Sequence, residues 1–255
     1  MLRLLDWPAT LVLAVVFGLV LAVFEPLQWI AKAFGKRPHD WVVACLGTTL
    51  VTVFRLTGIR LDVERSPAVA ARRPYLIVSN HQSMFDIALL LHLFFTNFPK
   101  FVSKRELARF IPSISYNLRR GGNCIIDRDD AGQAVAAITE LGRRVEKRGV
   151  SAVIFPEGTR ARRGELKPFK PRGTLALLVA APSTPIVPVT IDGSWRLMQK
   201  NFWPIPFGVT VRVRIDAPIA RHPGDDPRQL LDRLHARMTE NLAAMRAPDS
   251  SRSER

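Results

Sequence analysis

YLIVS (75–79), NHQSMFD (80–86) and FDIALLLHLFF (85–95) run on from one another, and the fold is decided here. A short apolar, β-rich run reads as a buried strand. A polar turn follows it. The next run is apolar almost all round and long enough to be a helix. This strand–turn–helix unit recurs along the chain. FPKFVS (98–103), GNCIID (122–127), VSAVIF (150–155), IVPVTI (186–191) and VTVRVRI (209–215) read as further strands. ELARF (106–110) starts a short helix. Asp129 or Asp130 can cap a helix in which Ala131, Val135, Ile138, Leu141 and Val145 share one face. Another helix is expected from about residue 173 to 181. Asp226 and Pro227 open an amphipathic helix with Leu230, Leu234, Met238 and Leu242 in register. Strands alternating with helices predict an α/β fold: a largely parallel central sheet flanked by helices.

In such sheets ligands bind beyond the carboxyl ends of the strands. After the first strand, His81 lies in the turn and Asp86 five residues on, near the start of the helix. That spacing lets the carboxylate reach one imidazole nitrogen, fix the tautomer and leave the other nitrogen as a general base. A substrate hydroxyl could then attack a thioester directly, with no serine or cysteine nucleophile. Ser83-x-x-Asp86 equally reads as a variant capping box, with Asn80 and His81 as turn residues. Asp127-Arg128 ends a later strand. Pro156-Glu157-Gly158-Thr159-Arg160 ends the next and runs into Arg162, Arg163, Lys167, Lys170 and Arg172. Cations concentrated beside a strand end suit a phosphate, which arginine can grip through two bonds.

Taken together, these blocks make the chain similar to the glycerophospholipid acyltransferases, specifically the bacterial 1-acylglycerol-3-phosphate acyltransferases. The resemblance covers about residues 60–215. It rests on Asn80-His81-Gln82-Ser83-Met84-Phe85-Asp86, on Gly122 to Arg128, on Phe155-Pro156-Glu157-Gly158-Thr159-Arg160 and on Ile186-Val187-Pro188-Val189, in family order. It implies a catalytic dyad of His81 and Asp86. It also implies a substrate site of Arg128, Glu157, Gly158, Thr159 and Arg160, with Lys104 where relatives often carry a phosphate-facing lysine. The run Lys170-Pro171-Arg172-Gly173 departs from the family pattern; Arg172 keeps the charge and Pro171 reshapes the loop. The reaction implied is acyl transfer from a thioester to the free hydroxyl of 1-acyl-sn-glycerol 3-phosphate, giving phosphatidic acid. The thioester, of coenzyme A or of acyl carrier protein, is a co-substrate; no cofactor and no metal is expected. Another lysophospholipid or a lyso-ornithine lipid as acceptor, or a non-catalytic lipid-binding protein, are the alternatives.

Upstream lie two apolar runs, residues 8–24 and 41–54. A bilayer span needs about 20 apolar residues, so the first is borderline and the second short. The connector holds Lys32, Lys36 and Arg37; the chain after the second run holds Arg55, Arg60, Arg65, Arg72 and Arg73. Were both runs to cross, these basic segments would face opposite sides, against the positive-inside tendency. A membrane-associated helical hairpin dipping into one leaflet avoids the conflict, and so does a single span followed by a surface helix. The expected organisation is a membrane segment at 1–57, separable from an α/β domain at 58–246, and a disordered tail at 247–255. The inner membrane, with the domain facing the cytoplasm, is the expected location. The formal charge of +15 suits an anionic membrane surface and phosphorylated substrates. No aromatic-studded basic stripe accompanies it, so nucleic acid is not an expected partner, whereas acyl carrier protein is a candidate one. The two cysteines, Cys45 and Cys124, read as small buried hydrophobes.

Overall fold

The computed structural model describes residues 2–127, 129–222 and 224–247. The tail expected at 247–255 lies, from residue 248 on, outside the described residues. Two helices come first, α1 (Leu2–Ala33) and α2 (Lys36–Phe54), then the edge strand β1 (Arg60–Arg65). The expected core follows: β2 (Leu76–Ser79), α3 (Phe85–Leu93), β3 (Lys100–Lys104), α4 (Ile114–Arg120), β4 (Cys124–Ile126), α5 (Ala131–Arg148), β5 (Ala152–Ile154), α6 (Pro171–Ala180), β6 (Ile186–Asp192), β7 (Thr210–Ile215) and α7 (Pro227–Arg246). The seven strands lie in the order β1-β7-β6-β2-β5-β3-β4. Every neighbouring pair is parallel except β6 and β7. The largely parallel α/β sheet is thus as expected.

The period-two alternation of strand side chains divides the core into two layers. Ile77, Val153, Val187, Val189 and Ile191 face α2 and α3 on one side. Leu76, Val78, Ala152, Ile154 and Ile186 face α5, α6 and α7 on the other. The capping signals work as read: Asp130 accepts the Gln133 N–H, and Asp226 accepts the Arg228 N–H.

The amino-terminal hairpin differs from its expectation in two ways. First, α1 continues past residue 24 as one helix containing Pro8 and Pro26. The polar residues that seem to end the apolar run are consumed by the domain. The Ser113 N–H donates to Glu25 Oε2 at 2.5 Å, and Gln28 Nε2 donates to Ser113 Oγ. Near the other end, Thr10 Oγ1 accepts the Ile205 N–H and Asp6 Oδ1 the Phe207 N–H, at 2.9 and 2.8 Å. The outer side of α1 leaves Leu4, Leu11, Val15, Leu19, Val23 and Ile30 exposed. By length and composition, α1 and α2 are both long and apolar enough to cross a membrane.

Second, α2 packs into the domain along much of its length. It buries Val43, Ala44, Leu46, Leu50, Val51 and Phe54. At Gly47 its backbone comes so near α3 that an added Cβ would lie 2.4 Å from Leu91 Cβ. Its Asp40 accepts a hydrogen bond from the buried Lys100 at 2.6 Å. Cutting at residue 57 would uncover this apolar layer, a loss of buried apolar contact that is destabilising, and remove the carboxylate that answers Lys100. Cys124 is buried as expected; Cys45 is exposed instead, on the outer face of α2.

Candidate active site

The turn after β2 is held from three sides. The Asn80 amide spans to β6, donating to Ile191 O at 2.8 Å and accepting the Ile191 N–H at 2.7 Å. The His81 N–H donates to Glu157 Oε1 at 2.8 Å, and His81 O accepts the Ala161 N–H at 2.7 Å. His81 Nδ1 lies 2.9 Å from Asp86 Oδ2. With the carboxylate ionised, Nδ1 carries the proton and Nε2 keeps its lone pair. The ring stacks on Phe155, centroids 4.1 Å apart. Its side chain is 12% exposed while that of Asp86 is 0% exposed, so the histidine, not the carboxylate, is open to a substrate.

Asp86 accepts further hydrogen bonds from the backbone N–H groups of Gln82 and Ser83, at 2.7 and 2.8 Å, and from Ser194 Oγ at 2.6 Å. The contacts that both readings of Ser83-x-x-Asp86 call for are present: the carboxylate reaches back to amides at the helix start and to the imidazole at once. Ser194 was not found from sequence. It lies just past β6 in Asp192-Gly193-Ser194, and Gly193 takes φ +91° beside Thr210 O. A small polar trio ending a buried strand is the signal that could have marked it. Asp192 in turn is gripped by Arg246 of α7 at 2.5 Å and 3.0 Å.

Of the residues expected at the substrate site, Glu157 and Arg160 come beside His81, on the turn after β5. Glu157, expected as a substrate contact, faces inward in this structure. It is 1% exposed, and its second oxygen accepts the Lys167 N–H at 3.1 Å. Burial pushes its carboxyl up to about 7, against the lowering effect of the two amides. Gly158 takes φ +64° in the turn, and a Cβ there would come 3.0 Å from Lys170 Cδ. Thr159 is exposed. The half-buried Arg160 sets Nη1 3.3 Å from Met198 Sδ, and its carbonyl accepts from Lys167 Nζ at 2.8 Å. Lys104 is half-buried at the carboxyl end of β3, two strands from β2. Arg128 lies outside the described residues. Among the described residues no cluster of three or more potential metal ligands is present.

The largely parallel α/β sheet thus carries a carboxylate-paired histidine and, on the turn after β5, a half-buried arginine at the carboxyl ends of its strands. The family model described as Acyltransferase matches residues 60–192, which include both turns, and the chain belongs to the acyltransferase family. It is 33% identical over 183 residues to human 1-acyl-sn-glycerol-3-phosphate acyltransferase beta, covering 71% of this chain and 64% of that one. It is 30% identical over 206 residues to the chloroplastic 1-acyl-sn-glycerol-3-phosphate acyltransferase BAT2 of Brassica napus, covering 81% and 57%. The chain thus spans less than two thirds of the length of these curated relatives. The crystal structure of the 1-acyl-sn-glycerophosphate acyltransferase PlsC from Thermotoga maritima has the same fold. It gives a TM-score of 0.78 at 22% identity, over 98% of this chain and 100% of that one.

Proposed function

We propose that this chain transfers a fatty acyl group from an acyl thioester to the free hydroxyl of 1-acyl-sn-glycerol 3-phosphate, releasing phosphatidic acid and a thiol. The observation that carries this reading is the 2.9 Å contact of His81 Nδ1 with the buried Asp86, which leaves Nε2 as the open nitrogen. Nε2 takes the hydroxyl proton as the oxygen attacks the thioester carbonyl carbon. Asp86 steadies the imidazolium that forms. The tetrahedral intermediate collapses, the C–S bond breaks, and the leaving thiolate recovers the proton from His81. The acceptor's phosphate is held by Arg160, with Lys104 of β3 and Arg128 as further cations. Glu157, Gly158 and Thr159 shape the turn that presents Arg160. The donor is acyl-CoA or acyl-acyl carrier protein.

The same reading sets the protein on a membrane. The exposed apolar side of α1 supports a helix lying in one leaflet. Its ties to the domain at Asp6, Thr10, Glu25 and Gln28 keep it from leaving the domain to span the bilayer. The bilayer is the inner membrane, with the domain on its cytoplasmic side.

Product analysis tests the proposal. Purified full-length protein in detergent is incubated with acyl-CoA or acyl-acyl carrier protein and a panel of acceptors: 1-acyl-sn-glycerol 3-phosphate, other lysophospholipids and lyso-ornithine lipid. Phosphatidic acid is the expected product. Its absence, with another acceptor acylated, moves the substrate; no acylation of any acceptor removes the activity.

A further inference from the structure

The end of the sheet opposite His81 holds a second concentration of cations. Around the amino-terminal ends of β3, β4 and β5 lies a cavity of about 150 Å³. Lys32 and Lys36 reach it from the α1–α2 turn, Lys100 from the start of β3, Arg120 from the end of α4, and Arg144 and Arg148 from the last turns of α5. The residues are scattered from 32 to 148 in sequence, so no local basic run explains their convergence. Lys100 is buried and answered by Asp40. Among the described residues, the other five are in no ion pair. Like charges sharing a partly closed space repel more strongly than they do in bulk water. Arg144 donates from Nη1 to Gly122 O at 3.0 Å, while its buried Nε has no hydrogen-bond partner. Gly122, at φ +82°, keeps a side chain away from that guanidinium.

We propose that this cavity is a second anion site, distinct from the catalytic one, that takes a phosphoryl group. The chemistry is that of several ammonium and guanidinium donors closing on tetrahedral phosphate oxygens. The surroundings favour a lipid headgroup over free phosphate. Trp29, on the same side of α1 one turn before Lys32, and Phe34 in the α1–α2 turn are 53% and 79% exposed. A phosphodiester in the cavity thus has apolar surface beside it for its chains. The assignment does not depend on acyl transfer, because binding alone reads it out.

The full-length protein in detergent is titrated with dioctanoyl phosphatidylglycerol, dioctanoyl phosphatidylcholine or inorganic phosphate while Tm is followed. A ligand that binds only the folded state raises Tm in a saturable way. Phosphatidylglycerol is expected to do so and phosphatidylcholine is not. The triple variant Lys36→Gln, Arg120→Gln, Arg148→Gln changes three exposed residues. It is expected to weaken the apparent affinity on the order of 100-fold. Arg160→Ala, altered in the catalytic turn, keeps the full shift. So does Arg143→Gln, Arg228→Gln, Arg233→Gln, an equal charge change at exposed positions elsewhere. A shift from inorganic phosphate that matches the lipid's, and is lost in the cavity triple, supports the site with a soluble ligand. The proposal is overturned if the cavity triple retains the full shift, if the control triple loses it equally, or if phosphatidylcholine matches phosphatidylglycerol. A protein that binds phosphatidylglycerol here yet acylates nothing would leave this site standing and the catalytic reading fallen.

Discussion

The turn after β2 and the turn after β5 each bury a carboxylate at the same edge of the sheet, and the two are satisfied in different ways. Asp86 meets an imidazole nitrogen, two backbone N–H groups and the hydroxyl of Ser194, all within 3.0 Å. Glu157 meets two backbone N–H groups, and its burial pushes it up to about 7. Burial is the same; the donors differ. A carboxylate ringed by donors, one of them a titratable ring, is equipped to steady a charge that appears on that ring. A carboxylate held only by amides fixes loop geometry. The comparison teaches that the motif residue nearest the chemistry is identified by what it touches, since both acids belong to equally recognisable sequence blocks.

The largest expected effect is on His81→Ala. Its kcat should fall by about 10²–10⁴-fold with Tm little changed. Asp86→Asn should cost less in kcat, because the base survives without its orienting partner, but should lower Tm as well. Kinetics and melting measured on the same preparations decide this. If kcat in either variant falls only as far as the folded fraction, Asp86 is a helix cap and the contrast between the turns disappears.

Glu157→Gln sharpens the other half. A carboxyl raised in the folded state from its usual 4.5 to about 7 makes the folded protein bind more protons than the unfolded one. Its contribution is therefore fully present below pH 4.5 and lost as pH rises through 7. That amounts to about 3 kcal/mol at most. Urea unfolding between pH 5 and 8 should show wild-type stability falling with pH and a flatter profile for Glu157→Gln. Parallel profiles would mean that Glu157 stays ionised throughout.

Arg160→Ala should raise the KM for 1-acyl-sn-glycerol 3-phosphate more than that for the acyl donor, by the equivalent of about 1.5–3 kcal/mol for a lost charge-assisted bond. Steady-state kinetics with each substrate varied in turn check it; equal effects on both would take Arg160 out of the phosphate site. The smallest effect is expected for Ser194→Ala. It removes one of several donors to Asp86, so it should cost about 1–2 kcal/mol in stability and less kcat than Asp86→Asn. A kcat as low as that of Asp86→Asn would make the hydroxyl, not the amides, the group that holds the carboxylate in place.

Much of this site was legible in the chain because it is local. Histidine, carboxylate and the apolar helix that Asp86 opens fall within residues 80–95, and a strand followed by a turn sets their geometry from neighbours in sequence. The strands β2 to β7 and the caps at Asp130 and Asp226 are legible for the same reason. The misses share an opposite cause. The edge strand β1, RLDVER, carries mostly exposed side chains, so no apolar pattern announces it. The helix α4, only seven residues long, leaves too short a pattern to read. Ser194 is 108 residues from Asp86, and no spacing rule connects them.

The sequence by itself determined the alternation of strands and helices, the family, the His81–Asp86 contact and the surplus of positive charge, because each rests on periodicity, short-range spacing or composition. Only the tertiary structure decided the rest. It turned Glu157 inward, made α2 part of the core through Gly47 and the Asp40–Lys100 pair, set Ser194 against Asp86, and gathered six cations from distant segments at the far end of the sheet. These are contacts between residues far apart in the chain, and which of them form is set by how the layers pack against the sheet, a property of the whole fold that no local window contains.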